Sequence, residues 1–201
     1  MKLIVVSPEH DDPREIKVLH QLIEAGLTHY HLRKPTWDRR CLAVWLGAVS
    51  SEHHKHIVLH SHHDLARDFA VGGLHARDVA KDSLQVPIAS KSGPDILRSR
   101  SVHELASFRS ALQCYDRVVF SPVFSSISKS GYVPQVAHAD VKSVLEFPRI
   151  AEAFALGGVN AARVAVCRGL GFDGVAVLGA VWQAGDPTSA FRELQESTAN
   201  A

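Results

Sequence analysis

Eight short runs, seven of them apolar and most followed by a stretch with helical spacing, limit what this 201-residue chain can fold into more than any other feature. The runs fall at residues 3–6, 28–32, 57–59, 72–75, 96–102, 116–120, 151–156 and 174–178. Most are rich in β-branched, leucine or aromatic residues, as strands covered on both faces must be; 96–102 is the polar exception. Ile16, Leu19, Leu22 and Ile23 recur at helical spacing, and Gly26 stands where that helix should end. Thr36 is placed to cap a helix through Leu42, Trp45, Leu46 and Val49. Residues 64–71 and 104–112 and the set Val141, Val144, Leu145 also have helical spacing. Asn160 is placed to cap a helix reaching about Gly169, and residues 191–196 lie in a last helix. Residues 79–95 fit neither period, since Pro87 interrupts and Ser92-Gly93-Pro94 is turn chemistry. No low-complexity linker divides the chain, so the expectation is one α/β domain over 1–201, a (β/α)8 TIM barrel. A doubly wound sheet usually carries a glycine-rich fingerprint after its first strand, and Ser7-Pro8-Glu9-His10 is not one.

In such a barrel the chemistry belongs at the C-terminal ends of the strands. Pro122 cannot donate to a sheet ladder, so the strand at 116–120 stops there. The loop behind it, with Ser126, Ser128, Lys129 and Gly131, offers hydroxyls and a cation to an anion. A solvated surface loop has the same composition. Gly157-Gly158 and Leu178-Gly179 follow strands seven and eight, where barrels hold phosphate through backbone N–H groups. Tight turns alone would also call for those glycines. Arg33 and Lys34 end strand two, where a guanidinium and an ammonium can meet phosphate, although such pairs are commonly solvated. His103 ends strand five, placed either to move protons near neutral pH or to cap the next helix.

Thirteen histidines are the compositional anomaly. His60 and His62 share one side of an extended strand, and His75 or His103 would complete a transition-metal site, the basis of a metal-dependent hydrolase. Against this, the register puts His62 beyond the strand and no cysteine or carboxylate has ligand spacing with it. His53, His54 and His56 read as solvated loop residues. A net charge of +1 creates no field toward nucleic acid or membrane, and no run approaches the roughly 18 apolar residues of a span. Cys41, Cys114 and Cys167, odd in number and far apart, suit reduced thiols in a cytoplasmic protein. The four-residue apolar start is too short for a signal peptide. The oligomeric state is left open, a homo-oligomer included.

Taken together, the segments resemble the thiamine phosphate synthase (thiamine-phosphate pyrophosphorylase)/TenI family over nearly the whole chain. The family's Gln-Leu-Arg-Glu-Lys after strand two stands here as His31-Leu32-Arg33-Lys34-Pro35. Its Ser-x-His in strand five is Ser101-Val102-His103, and its Thr-x-Thr-Lys loop is Ser126-Ile127-Ser128-Lys129. Its Gly-Gly is Gly157-Gly158, and its Gly-Val-Ala-Val-x-Ser-Ala-Ile is the run from Gly174 to Val181.

For the synthase, the resemblance implies coupling of a pyrimidine diphosphate to a thiazole phosphate, with Mg²⁺ held by two aspartates. Those positions fall on Ser61 and Ala80 here, with Asp64 and Asp78 nearby but out of register. Mg²⁺ needs hard oxygen ligands, so the departure favours the tautomerase branch, which requires no cofactor. Mg²⁺ is expected only if synthase activity is retained. The resemblance then implies His103 as general acid/base and Lys129 in the catalytic loop. Ser126 and Ser128 would face the carboxylate side of the thiazole phosphate, and Gly157, Gly158, Leu178 and Gly179 its phosphate. Arg33, Lys34, His60 and Ser101 complete the implied substrate site. Synthase coupling and a non-catalytic binder of thiazole or thiamine phosphate are the alternatives.

Overall fold

The computed structural model describes residues 1–77, 96–125 and 136–200. Eight parallel strands close into a barrel: β1 (Lys2–Val6), β2 (Tyr30–Leu32), β3 (Ile57–Leu59), β4 (Gly73–Ala76), β5 (Leu97–Val102), β6 (Arg117–Phe120), β7 (Glu152–Ala155) and β8 (Gly174–Val177). The helices are α1 (Glu15–Glu24), α2 (Arg39–Ala48), α3 (Leu105–Ala111), α4 (His138–Leu145), α5 (Val164–Gly169), α6 (Gly179–Trp182) and α7 (Pro187–Asn200). The predicted barrel and all eight strands are present, β5 among them, each within two residues of its expected bounds at either end.

Strand parity divides the apolar residues into two cores. Val5, Tyr30, Leu32, Ile57, Leu59, Leu74 and Val118 point outward and pack under the helices. Ile4, Val6, Val119, Phe154 and Ala176 fill the barrel interior. Phe154 needs a gap beside it: a Cβ on Gly174 would lie 2.2 Å from its ring. At the barrel's lower end the buried Arg117 guanidinium pairs with Glu152 at 3.0 Å and lies 4.6 Å from the Phe154 ring centroid.

Several local expectations change. Gly26 follows α1 at φ +101°, as its position predicted. Asp38, not Thr36, caps α2 by accepting from Cys41 N at 2.8 Å. Asn160 precedes a single 3-10 turn, Ala161–Arg163, and its side chain makes no cap bond. The helix expected at 64–71 is a 3-10 turn, His63–Arg67, and the last helix is longer than 191–196. His53, His54 and His56 belong to a 3-10 segment, Ser51–His56, and not to a solvated loop. His54 is buried, with Nε2 2.9 Å from Leu46 O and its ring edge-on to Phe69.

Candidate active site at the barrel mouth

Three neighbouring strands each carry one histidine on the inward face near the C-terminal end. His31 lies on β2, His60 follows β3, and His75 lies on β4. Register aligns them, because His31 pairs with Val58, Leu59 with Leu74, and His60 N donates to Leu32 O. His31 Nδ1 and His60 Nε2 are 3.0 Å apart. The His60 and His75 rings stack at 4.0 Å, and His31 stands edge-on to both. One ring nitrogen from each of the three lies within 4.8 Å of the others. His62, expected beside His60, follows the strand in a left-handed backbone at φ +49° and is not part of this cluster, although it lines the adjoining cavity. The triad was therefore missed at His31. The signal was available, since inward parity on adjacent strands selects His31, His60 and His75.

The polar fifth strand has a reason. Ser99 and Ser101 share the inward face of β5 and flank His75: Ser99 Oγ is 2.8 Å from Nδ1 and Ser101 Oγ 2.7 Å from Nε2. Ser101, expected to touch substrate, thus holds a histidine. Burial pushes the His31 and His60 pKa values well below the usual histidine value, helped by His75 beside them. Burial, with His63 and Arg33 adding to it, lowers His75 to about 3. All three rings are neutral at pH 7.

A cavity of about 390 Å³ opens beside them, lined by Arg33, Pro35, Trp37, His60, Ser61, His62, His63, His75 and Arg77, with Lys34 behind. Arg33 pairs with Glu9 at 2.5 Å and its backbone bonds to Ser7 Oγ in both directions. Lys34 departs from the expected phosphate contact. Its side chain is fully enclosed, and Nζ donates to Pro8 O, His10 O and Glu15 Oε2. Tyr30 OH donates to the same carboxylate at 2.8 Å.

Just after β5, the neighbour of the strand that carries His75, His103 is exposed, and its Nδ1 lies 2.7 Å from Ser121 O. A carbonyl only accepts, so Nδ1 carries the proton and Nε2 is the basic nitrogen of the neutral ring. Gly157 and Gly158 adopt φ +94° and +64° directly beneath the loop after β6. A Cβ on Gly158 would meet Ser125 O at 2.2 Å, and one on Gly157 the Pro122 Cα at 2.8 Å. Phe124 N donates to Gly157 O and Arg163 Nη1 to Gly158 O. Leu178 precedes the short α6, whose first residue is Gly179. Ser126, Ser128 and Lys129, with Asp78 and Ala80, lie outside the described residues.

The sequence pattern of the family described as "Thiamine monophosphate synthase" matches residues 3–181. The chain belongs to that family. Among its relatives, the thiamine-phosphate synthase of Anaeromyxobacter dehalogenans is 34% identical over 162 residues, 78% of this chain and 67% of that protein. The thiamine-phosphate synthase of Chlorobium phaeovibrioides is 29% identical and covers 96% of this chain and 94% of its own length. A solved thiamine phosphate pyrophosphorylase from Bacteroides thetaiotaomicron superposes with a TM-score of 0.79 at 25% identity, covering 99% of this chain and 98% of its own. The 3-hexulose-6-phosphate synthase of Salmonella typhimurium, at 18% identity and a TM-score of 0.73, shares the fold.

The Mg²⁺ that the family resemblance implies does not suit this mouth. Ser61 lies on the cavity at one aspartate position, and among the described residues lining it none is an aspartate or glutamate. Asp64 points instead to Arg39, 2.5 Å away. The donors here are imidazole nitrogens.

Proposed function

We propose that the chain acts on a thiazole phosphate and moves a proton on its ring, tautomerase-type chemistry with His103 as general acid/base. The observation that carries this reading is the anchoring of His103 Nδ1 on Ser121 O, which fixes the tautomer and leaves Nε2 as the proton-accepting atom. A proton shift releases no diphosphate, so it is compatible with a mouth lined by imidazoles instead of carboxylates. In this reading the backbone at Gly157, Gly158, Leu178 and Gly179 holds the phosphate. Ser126, Ser128 and Lys129 keep the roles the resemblance implies, and Arg33 and His60 face the substrate from across the mouth.

A second reading, coupling of a pyrimidine diphosphate to the thiazole phosphate, is favoured by the names of the relatives. Both reactions are followed with purified protein: proton exchange on the thiazole by NMR, and thiamine phosphate formation with Mg²⁺ present. The expected result is exchange without coupling. His103→Ala lowers exchange about 10²–10⁴-fold with substrate affinity nearly unchanged. Robust coupling supports the second reading. Binding with neither reaction makes the chain a non-catalytic binder and overturns both.

A further inference from the structure

We propose that His31, His60 and His75 form a three-nitrogen site for a zinc-class divalent cation, its fourth position open to the cavity and taken by an anionic oxygen ligand. The proposal goes beyond the assignment of His103 and does not depend on it.

The three rings come from adjacent strands of a closed barrel, which fixes their Cβ positions better than a loop would. Ligand nitrogens around a tetrahedral zinc at about 2.0–2.1 Å stand roughly 3.3 Å apart. The His31 and His60 nitrogens, 3.0 Å apart, already approach that spacing, and a cation would replace the proton they now share. All three donors lie within 4.8 Å of one another, and the stacked His60 and His75 rings must turn apart for both lone pairs to meet one cation.

One further observation points to a ligand, the support of His75. Ser99 Oγ lies 3.4 Å from Leu74 O, to which it donates, so it accepts from His75 Nδ1–H at 2.8 Å. That leaves the Nε2 lone pair toward Ser101 and the mouth, and a hydroxyl holding Nδ1–H in this way orients a metal-ligating imidazole. Ser101, 2.7 Å from Nε2, is the group a cation would displace.

Imidazole donors select zinc, cobalt, nickel or copper over Mg²⁺. His60-Ser61 occupies the place of the family's Asn-Asp pair, so a serine stands at the aspartate position and an imidazole stands just before it. Three neutral ligands leave the cation's charge uncompensated, and Arg33 and Arg77 line the same cavity. A hydroxide, phosphate or carboxylate oxygen is the fourth ligand that balances them.

The test strips the protein with EDTA and titrates Co²⁺, reading visible ligand-field bands, with Zn²⁺ stoichiometry measured by elemental analysis after dialysis. The expected outcome is one ion per chain with four-coordinate Co²⁺ bands, undisturbed by excess Mg²⁺ and perturbed by inorganic phosphate. His60→Gln and His75→Ala should each weaken binding more than about 100-fold, and the milder Ser99→Ala about 10–100-fold while keeping the fold. His56→Ala, on the 3-10 segment outside the cluster, should leave binding unchanged. Absence of stoichiometric Co²⁺, displacement by Mg²⁺, retention of full affinity in His60→Gln and Ser99→Ala, or its loss in His56→Ala would each overturn the site.

Discussion

An ammonium whose three N–H groups are all engaged inside the protein cannot also meet a phosphate. Lys34 is in that position, tying the loop after β1 to α1 through Pro8 O, His10 O and Glu15. Burial raises the Glu15 pKa even against the pull of Lys34, so removing the cation leaves a costly isolated acid. Lys34→Met should destabilise the protein by about 3–5 kcal/mol in urea unfolding, and Lys34→Met with Glu15→Gln should recover much of it. Equal losses in the single and double variants would show that packing, not charge, dominates. The Ser101 hydroxyl serves His75 and keeps acceptor capacity for a second partner.

Among the elements, β5 and the loop after β6 position the chemistry. β5 is polar because one face grips His75 while Arg98 on the other pairs with Asp116. The loop after β6 lies against the Gly157-Gly158 turn, with Val123 N and Phe124 N donating to Leu156 O and Gly157 O. Gly158→Ala would force a side chain into a left-handed backbone and against Ser125 O. The expected cost is about 1–3 kcal/mol in thermal unfolding, with weakened binding of thiazole phosphate. An unchanged melting temperature and affinity would remove the turn from the phosphate end.

At the scale of the whole molecule, burial keeps an unusual number of imidazoles neutral. His75 is lowered to about 3 and His29 to about 4, with His31 and His60 lowered as well. A depressed folded pKa means that the unfolded chain takes up protons first, so stability is full above about pH 6.5 and falls as pH drops toward 4. Near pH 5 the loss is about 2 kcal/mol for a fully buried imidazole. Urea midpoints of EDTA-treated protein at pH 7.5, 6 and 5 should therefore fall steeply; a flat profile would mean that these rings are hydrated. Among the described residues no helix is long and apolar enough to cross a membrane.

The sequence by itself determined the barrel. Parallel strands covered on both faces need continuous apolar runs such as Ile4-Val5-Val6 and Val118-Val119-Phe120, and that pattern is visible without coordinates. It also put His103, Arg33 and Gly157-Gly158 at strand ends, and the family match bears out the resemblance. Which polar groups meet across the barrel was decided by the tertiary structure alone. Strand parity and inter-strand register brought His31, His60 and His75 together although 29 residues separate the first two. A buried carboxylate 19 residues upstream drew Lys34 inward. Local spacing along one strand suggested His60 with His62, but a ligand set in a parallel barrel is assembled across strands, at separations that a reading of neighbouring residues does not reach.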